Sequence, residues 1–135
     1  MKLNFRPKAA FASKKALKYL QDKNPVDIKQ VVVIRHAAIG DFMNIRPFLL
    51  GLKSFFPNAK VTLNTINTYA YGTPDDLIDV VHIIDRTVNG KKTSAFHRLK
   101  QIKQLPKADI LFDLTDSSLS LLTAIFSKPK LKIGY

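Results

Sequence analysis

Residues 30–35 read QVVVIR, with no polar residue interrupting the four central positions. A strand wetted on one face alternates apolar and polar side chains. An unbroken β-branched run instead suits a strand buried on both faces of a parallel sheet. Parallel neighbours cannot be joined by tight hairpins, so such a strand commits the chain to helical crossovers. The downstream pattern supplies them: a helix over 44–56 with Ile45, Phe48, Leu49, Leu52 and Phe56 on one face and Pro57 ending it, then a strand over 60–66. A short helix over 74–79, a strand over 80–85, a basic helix over 94–104, a strand over 109–114, a helix over 116–126 and a final strand over 130–135 follow. The fold class expected is α/β: a Rossmann-like parallel sheet with flanking helices.

The first 28 residues form a separate basic leader and linker, and residues 29–135 the Rossmann-like domain. A leader helix over 8–21 is amphipathic, with Ala9, Ser13, Ala16, Leu17 and Leu20 on one face and Lys8, Lys14, Lys15 and Lys18 around Phe11 on the other. That arrangement suits an anionic membrane surface. It equally suits a solvated helix docked on its domain through Leu17 and Leu20. Asn24-Pro25 ends the helix.

Twenty-two Lys and Arg against ten acids give a formal net charge of +12, which points to an anionic partner. There is no cysteine, which excludes a disulfide framework, a thiol nucleophile and a Cys-based zinc site. No apolar run approaches the roughly 20 residues of a membrane span. All ten acids are aspartates, so a general base must be one of these or His36, His82 or His97.

In an open parallel sheet, ligands collect beyond the carboxyl ends of the strands. The stretch IRHAAIGDFMN, residues 34–44, places Gly40 and Asp41 there. A single glycine followed by an acid matches neither a dinucleotide fingerprint nor a phosphate-binding P-loop. As an N-cap, Asp41 would put Pro47 in the second turn; with Asn44 as N-cap, Pro47 falls in the tolerated first turn. Asp41 then stands free in the loop, or the helix starts there and bends. The remaining reading is a general base aimed into the cleft.

Two blocks, VVVIRHAAIGDFMNIRPFLLGLKSFFPNAKVTL and ADILFDLTDSSLSLLTAIFSKPKLKIGY, resemble glycosyltransferase family 9, the ADP-heptose:lipopolysaccharide heptosyltransferases. The shared features are an apolar strand, a Gly-Asp loop, a helix with Pro and paired leucines, Phe-Pro before the second strand, and an ending like Arg-Ile-Gly-Tyr. The resemblance spans roughly residues 30 to 135. It implies the acceptor-side, N-terminal half of a GT-B enzyme, with the donor-binding C-terminal domain absent from this sequence. The implied chemistry is inverting, metal-independent transfer of heptose from ADP-heptose to the lipopolysaccharide inner core, with Asp41 as catalytic base. No cofactor is implied, and the donor would be held mainly by the other domain, so that this chain alone is inactive. The location implied is cytoplasmic, peripheral on the inner membrane.

The family's inner-core acceptor is acidic. Arg86, Lys91, Lys92 and Arg98, with His97 and Lys100 nearby, follow the third strand and are candidates to bind it, with Arg46 a further one. Guanidinium groups favour Arg86 and Arg98 for carboxylate recognition. The same side chains read equally as solvated surface charges. His36 adjoins the loop and is placed to orient Asp41; His82 reads as packing or edge exposure, and Asp75, Asp76 and Asp79 as helix-start and surface charges. Ala37 and Ala38 stand where the family commonly has serine, Asp116 where glycine is common, and Leu119 where a basic residue often contacts the acceptor. The competing classes are a nucleic-acid-binding domain, disfavoured because no recognised motif is present, and a non-catalytic, membrane-associated saccharide-binding remnant.

Overall fold

The computed structural model describes residues 13–134. Five parallel strands, β1 (Gln30–Ile34), β2 (Lys60–Ile66), β3 (Val80–Ile84), β6 (Ile110–Asp113) and β7 (Leu131–Gly134), form one sheet in the order β3-β2-β1-β6-β7. Helices α1 (Lys14–Asp22), α2 (Ile39–Asn44), α3 (Arg46–Phe55), α4 (Ala95–Ile102) and α5 (Ser118–Phe126) flank it. The expected Rossmann-like α/β architecture is the one observed.

The valine run explains the layering. Val31, Val32, Val33 and Ile34 are all fully buried because β1 is the central strand. Side chains alternate across a strand, so Val31 and Val33 enter a core with Phe42, Leu49 and Leu52 of α2 and α3. Val32 and Ile34 enter the opposite one, with Leu105, Leu111 and Ala124. A third cluster of Ile66, Ile84 and Ile102 fixes α4 against the β2 and β3 ends, with Leu119 of α5 packed on it.

Several sequence expectations are corrected. The helix expected over 44–56 is α3, with Ile45 rather than Asn44 as its N-cap and Pro47 in its first turn. A further short helix, α2, begins after Ala38 and turns into α3 at Ile45, so of the two alternatives for Asp41 the helix that starts there and bends is the one observed. Proline lacks an N–H, and a fresh helix start is where that loss costs least. No helix forms over 74–79. Pro74 and Leu77 close one turn, and Leu77 and Ile78 are both buried, a side-by-side burial that one short helical face does not provide.

The hairpin of β4 (Thr87–Val88) and β5 (Lys91–Lys92) was not anticipated. Its turn is Asn89-Gly90 with φ of 50° and 73°, the left-handed pair that a two-residue hairpin requires. Helix α1 starts at Lys14 under a Ser13 N-cap; the earlier part of the 8–21 helix, with Lys8, Ala9 and Phe11, lies outside the described residues. Docking is through Ala16 and Tyr19, which pack on the main core, while Leu17 and Leu20 are about half exposed.

Candidate functional site

The carboxyl end of β1 is tied to both neighbouring strands. Arg35 N donates to Asn64 O (2.9 Å), Leu114 N donates to Ile34 O (3.0 Å) and His36 N donates to Thr115 Oγ1 (2.9 Å). Asp41 is not free in a loop; it lies in the first turn of α2, where a carboxylate meets the positive end of the helix. Phe42, fully buried beside it, pins that turn to the core.

Arg35, which sequence reasoning missed, holds the carboxylate. Its Nη2 donates to Asp41 Oδ1 at 2.9 Å, and its Nη1 donates to Leu114 O. The guanidinium thereby bridges the exit of β6 to α2. Asp41 Oδ2 takes no hydrogen bond among the described residues, and the side chain is 40% exposed. The result is a carboxylate with one oxygen fixed and the other turned to open space. The place of Arg35 one residue beyond a buried strand and six before Asp41 puts it within reach of the carboxylate without marking it as the clamp.

His36 does not orient Asp41. Its Nε2 meets Asn64 Oδ1 (2.9 Å), Asn64 Nδ2 meets His82 Nδ1 (2.9 Å), and His82 Nε2 meets Gln101 O (3.0 Å). An amide oxygen and a carbonyl only accept, so each imidazole carries a proton on Nε2; His82, whose Nδ1 accepts from Asn64 Nδ2, is neutral, and His36 Nδ1 is buried without a partner. Burial lowers the pKa of both histidines, against the hydrogen bonds to Asn64 and to the Gln101 carbonyl, which raise them. This chain crosses β1, β2 and β3 at their carboxyl ends. It makes His82 a network member rather than mere packing.

Beside it, a cavity of about 320 Å³ is lined by Asp113, Asp116, Ser117, Ser118, Ser120 and Leu121. Asp113 ends β6 almost wholly buried, with Oδ1 accepting from Thr115 N at 3.0 Å. Asp116 has φ of 23°, a left-handed backbone that glycine adopts freely and aspartate tolerates. Ser117 and Ser120 then cap α5 reciprocally. Hydroxyls, carboxylates and a helix start make this wall suited to a polyhydroxylated ligand.

The five cation candidates are scattered. Arg86 is near enough that its charge lowers the pKa of His36. Lys91 and Lys92 sit on the exposed hairpin, and Arg98 lines a groove between α4 and α5. Arg46 is engaged elsewhere, its Nη1 and Nη2 on the two oxygens of Asp76 at 2.8 and 2.5 Å. Asp79 accepts from Val61 N (2.7 Å) and Asp75 from Thr73 Oγ1 (2.6 Å), so each does more than decorate the surface. His97 faces Asp85 at 3.7 Å. Leu119 is packed in the α4 cluster. Among the described residues no cluster of three His, Asp or Glu could hold a metal ion.

No protein-family model and no curated protein matches the sequence. Among solved structures, the chain resembles a glycosyl transferase family 9 protein from Veillonella parvula DSM 2008, with a TM-score of 0.62 and 20% identity. The match covers 82% of this chain and 32% of that one, so the chain spans about a third of its length. With a five-stranded parallel sheet and Asp41 at its carboxyl edge, the chain has a glycosyltransferase-like, Rossmann-like fold.

Proposed function

We propose that the chain is the acceptor-binding half of an inverting glycosyltransferase, with Asp41 as its base. The observation that carries this reading is the Asp41 carboxylate, fixed through Oδ1 by Arg35 and open at Oδ2, on the first turn of a helix at the carboxyl edge of the sheet. An acceptor hydroxyl would give its proton to Oδ2 as its oxygen attacks the anomeric carbon. The bond from that carbon to the nucleotide breaks, and the nucleotide leaves with the electron pair. Arg35 keeps the carboxylate oriented, so little reorganisation accompanies the transfer.

The hydroxyl-lined cavity at Asp113 and Ser117 would seat the saccharide. The excess of cations fits an acidic one such as the lipopolysaccharide inner core; Arg86, whose charge reaches His36, is the candidate at the edge, while Lys91, Lys92 and Arg98 would act from the hairpin and α4, and Arg46 only by releasing Asp76. The donor assigned by the sequence resemblance is ADP-heptose, bound by a second domain. The lysines of α1 would assist at an anionic membrane surface. No helix among the described residues is long and apolar enough to cross a membrane.

The test joins this chain to a nucleotide-sugar-binding domain and measures heptose transfer. Asp41→Asn should leave folding and donor binding intact and lower kcat about 100-fold or more. Unchanged turnover would remove Asp41 from the mechanism.

A further inference from the structure

Helix α5 is built inside out. Its buried positions are Ser120, Thr123 and Ala124, whereas Leu121, Leu122, Ile125 and Phe126 are 43–52% exposed. Thr123 is satisfied by donating to Leu119 O at 2.7 Å, so small side chains pack α5 on the sheet without help from the large ones. Helix α4 behaves similarly at its start, where Phe96 is 78% exposed. Between the two helices runs an apolar groove of about 450 Å³, walled by Phe96, Leu99 and Ile102 on one side and Leu119, Leu122 and Phe126 on the other. Contiguous apolar surface of this kind marks an interaction site.

Charge identifies the occupant. From residue 86 to 108 the chain carries seven cations and no acid, and from 117 to 135 it carries three lysines and no acid. Arg98 lines the groove itself, and Lys100 and Lys103 lie on and at the end of α4, both exposed. A second copy would bring the same cations against these, and the net charge of +12 opposes that pairing. An uncharged apolar partner would leave the cations without a role. Aromatic and aliphatic side chains flanked by Lys and Arg, with acids absent, match a bilayer interface whose headgroups are anionic. Long basic side chains can lie along the apolar surface and still reach the headgroups.

We propose that the outer face of α4 and α5 is a docking surface for anionic lipid bilayers, with Phe96, Leu122 and Phe126 inserting and Arg98, Lys100 and Lys103 meeting phosphates. The surface is separate from the lysines of α1 and from the Asp41 edge. The N-terminus of α5, at Ser117, borders the hydroxyl-lined cavity, so docking this face would hold that cavity close to the headgroups.

Co-sedimentation of the full chain with phosphatidylcholine vesicles, with and without phosphatidylglycerol, tests this. Because the vesicles contain no saccharide, the result is independent of the glycosyltransferase reading. Binding should require phosphatidylglycerol. Phe96→Ser combined with Phe126→Ser should weaken it about tenfold or more, and Lys100→Gln and Lys103→Gln should each weaken it about fivefold. Circular dichroism and Tm check that these exposed substitutions leave the fold intact; should the double serine variant unfold, Phe96→Ser alone carries the test. Equal binding to neutral vesicles overturns the proposal. So does undiminished binding by the face variants, or binding that only Lys14→Gln, Lys15→Gln and Lys18→Gln abolish. A dimer in solution that Phe96→Ser dissociates, with vesicle binding unaffected, would make the face a self-association surface instead.

Discussion

Arg35 Nη2 lies 2.9 Å from Asp41 Oδ1, joining the residue after β1 to the first turn of α2, while the same guanidinium reaches the Leu114 carbonyl beyond β6. A local pair six residues apart is thus tied through one guanidinium to the distant end of β6. Arg35→Gln should lower kcat about tenfold or more while leaving donor KM unchanged, and Arg35→Lys should recover part of the loss. The structural cost should be only about 1 kcal/mol, since both side chains are partly solvated. A parallel rise in donor KM, or a Lys variant no better than Gln, would count against a positioning role.

Asn64 is fully buried and serves two histidines at once. Asn64→Ala leaves His36 Nε2–H without an acceptor and His82 Nδ1 without a donor. With about 1–3 kcal/mol for each of the two orphaned buried groups, the loss should be about 2–6 kcal/mol. Urea denaturation measures it through the midpoint at constant m-value. A loss well under 1 kcal/mol would mean that water replaces the amide freely.

The same histidines set a pH dependence. Burial holds both below the ordinary histidine pKa in the folded chain, so below about pH 6.5 the unfolded chain binds more protons than the native one. Their contribution to stability is complete above that value. It is lost progressively as pH falls toward the lowered native pKa values. Tm should drop between about pH 7 and pH 5, and His36→Gln with His82→Gln should flatten this part of the profile. A Tm that holds steady or rises on acidification contradicts the neutral network.

Gly134 pairs with Asp113 across β6 and β7 at φ of 130°, and a Cβ there would strike the Asp113 carbonyl oxygen. That region of backbone space belongs essentially to glycine, so Gly134→Ala should cost about 2 kcal/mol or more. The strain falls on Asp113 at the wall of the hydroxyl-lined cavity. Amide exchange at the ends of β6 and β7 should therefore quicken more than in β1. Unaltered exchange and stability would show that the strand end simply frays.

The alternation of elements was legible because burial is periodic. Val31 to Ile34 cannot be wetted on either side, and that alone calls for a central strand with helices on both faces. Asp41 was legible as the acid following that strand. The Asn89-Gly90 pair is a strong local turn signal, yet the two strands it joins are only two residues each, too short to carry a periodicity of their own. The break at Ile45 was only half visible: Pro47 showed that something must give, not where. Nothing local to residue 35 distinguishes a guanidinium that clamps Asp41 from one in solvent. The same holds for Arg46, whose partner Asp76 is thirty residues away.

By itself, then, the sequence determined the hydrophobic periods, the helix caps at Ser94 and Ser117 and the excess of cations, all local or additive properties of the chain. The strand order, the hold of Arg35 on the Leu114 carbonyl, the His36–Asn64–His82 relay and the choice of α5's small residues over its large ones for the core depend on which distant segments meet. Those meetings depend on strand register and on which side chains fill the space between helix and sheet. Both emerge from the whole chain packing at once.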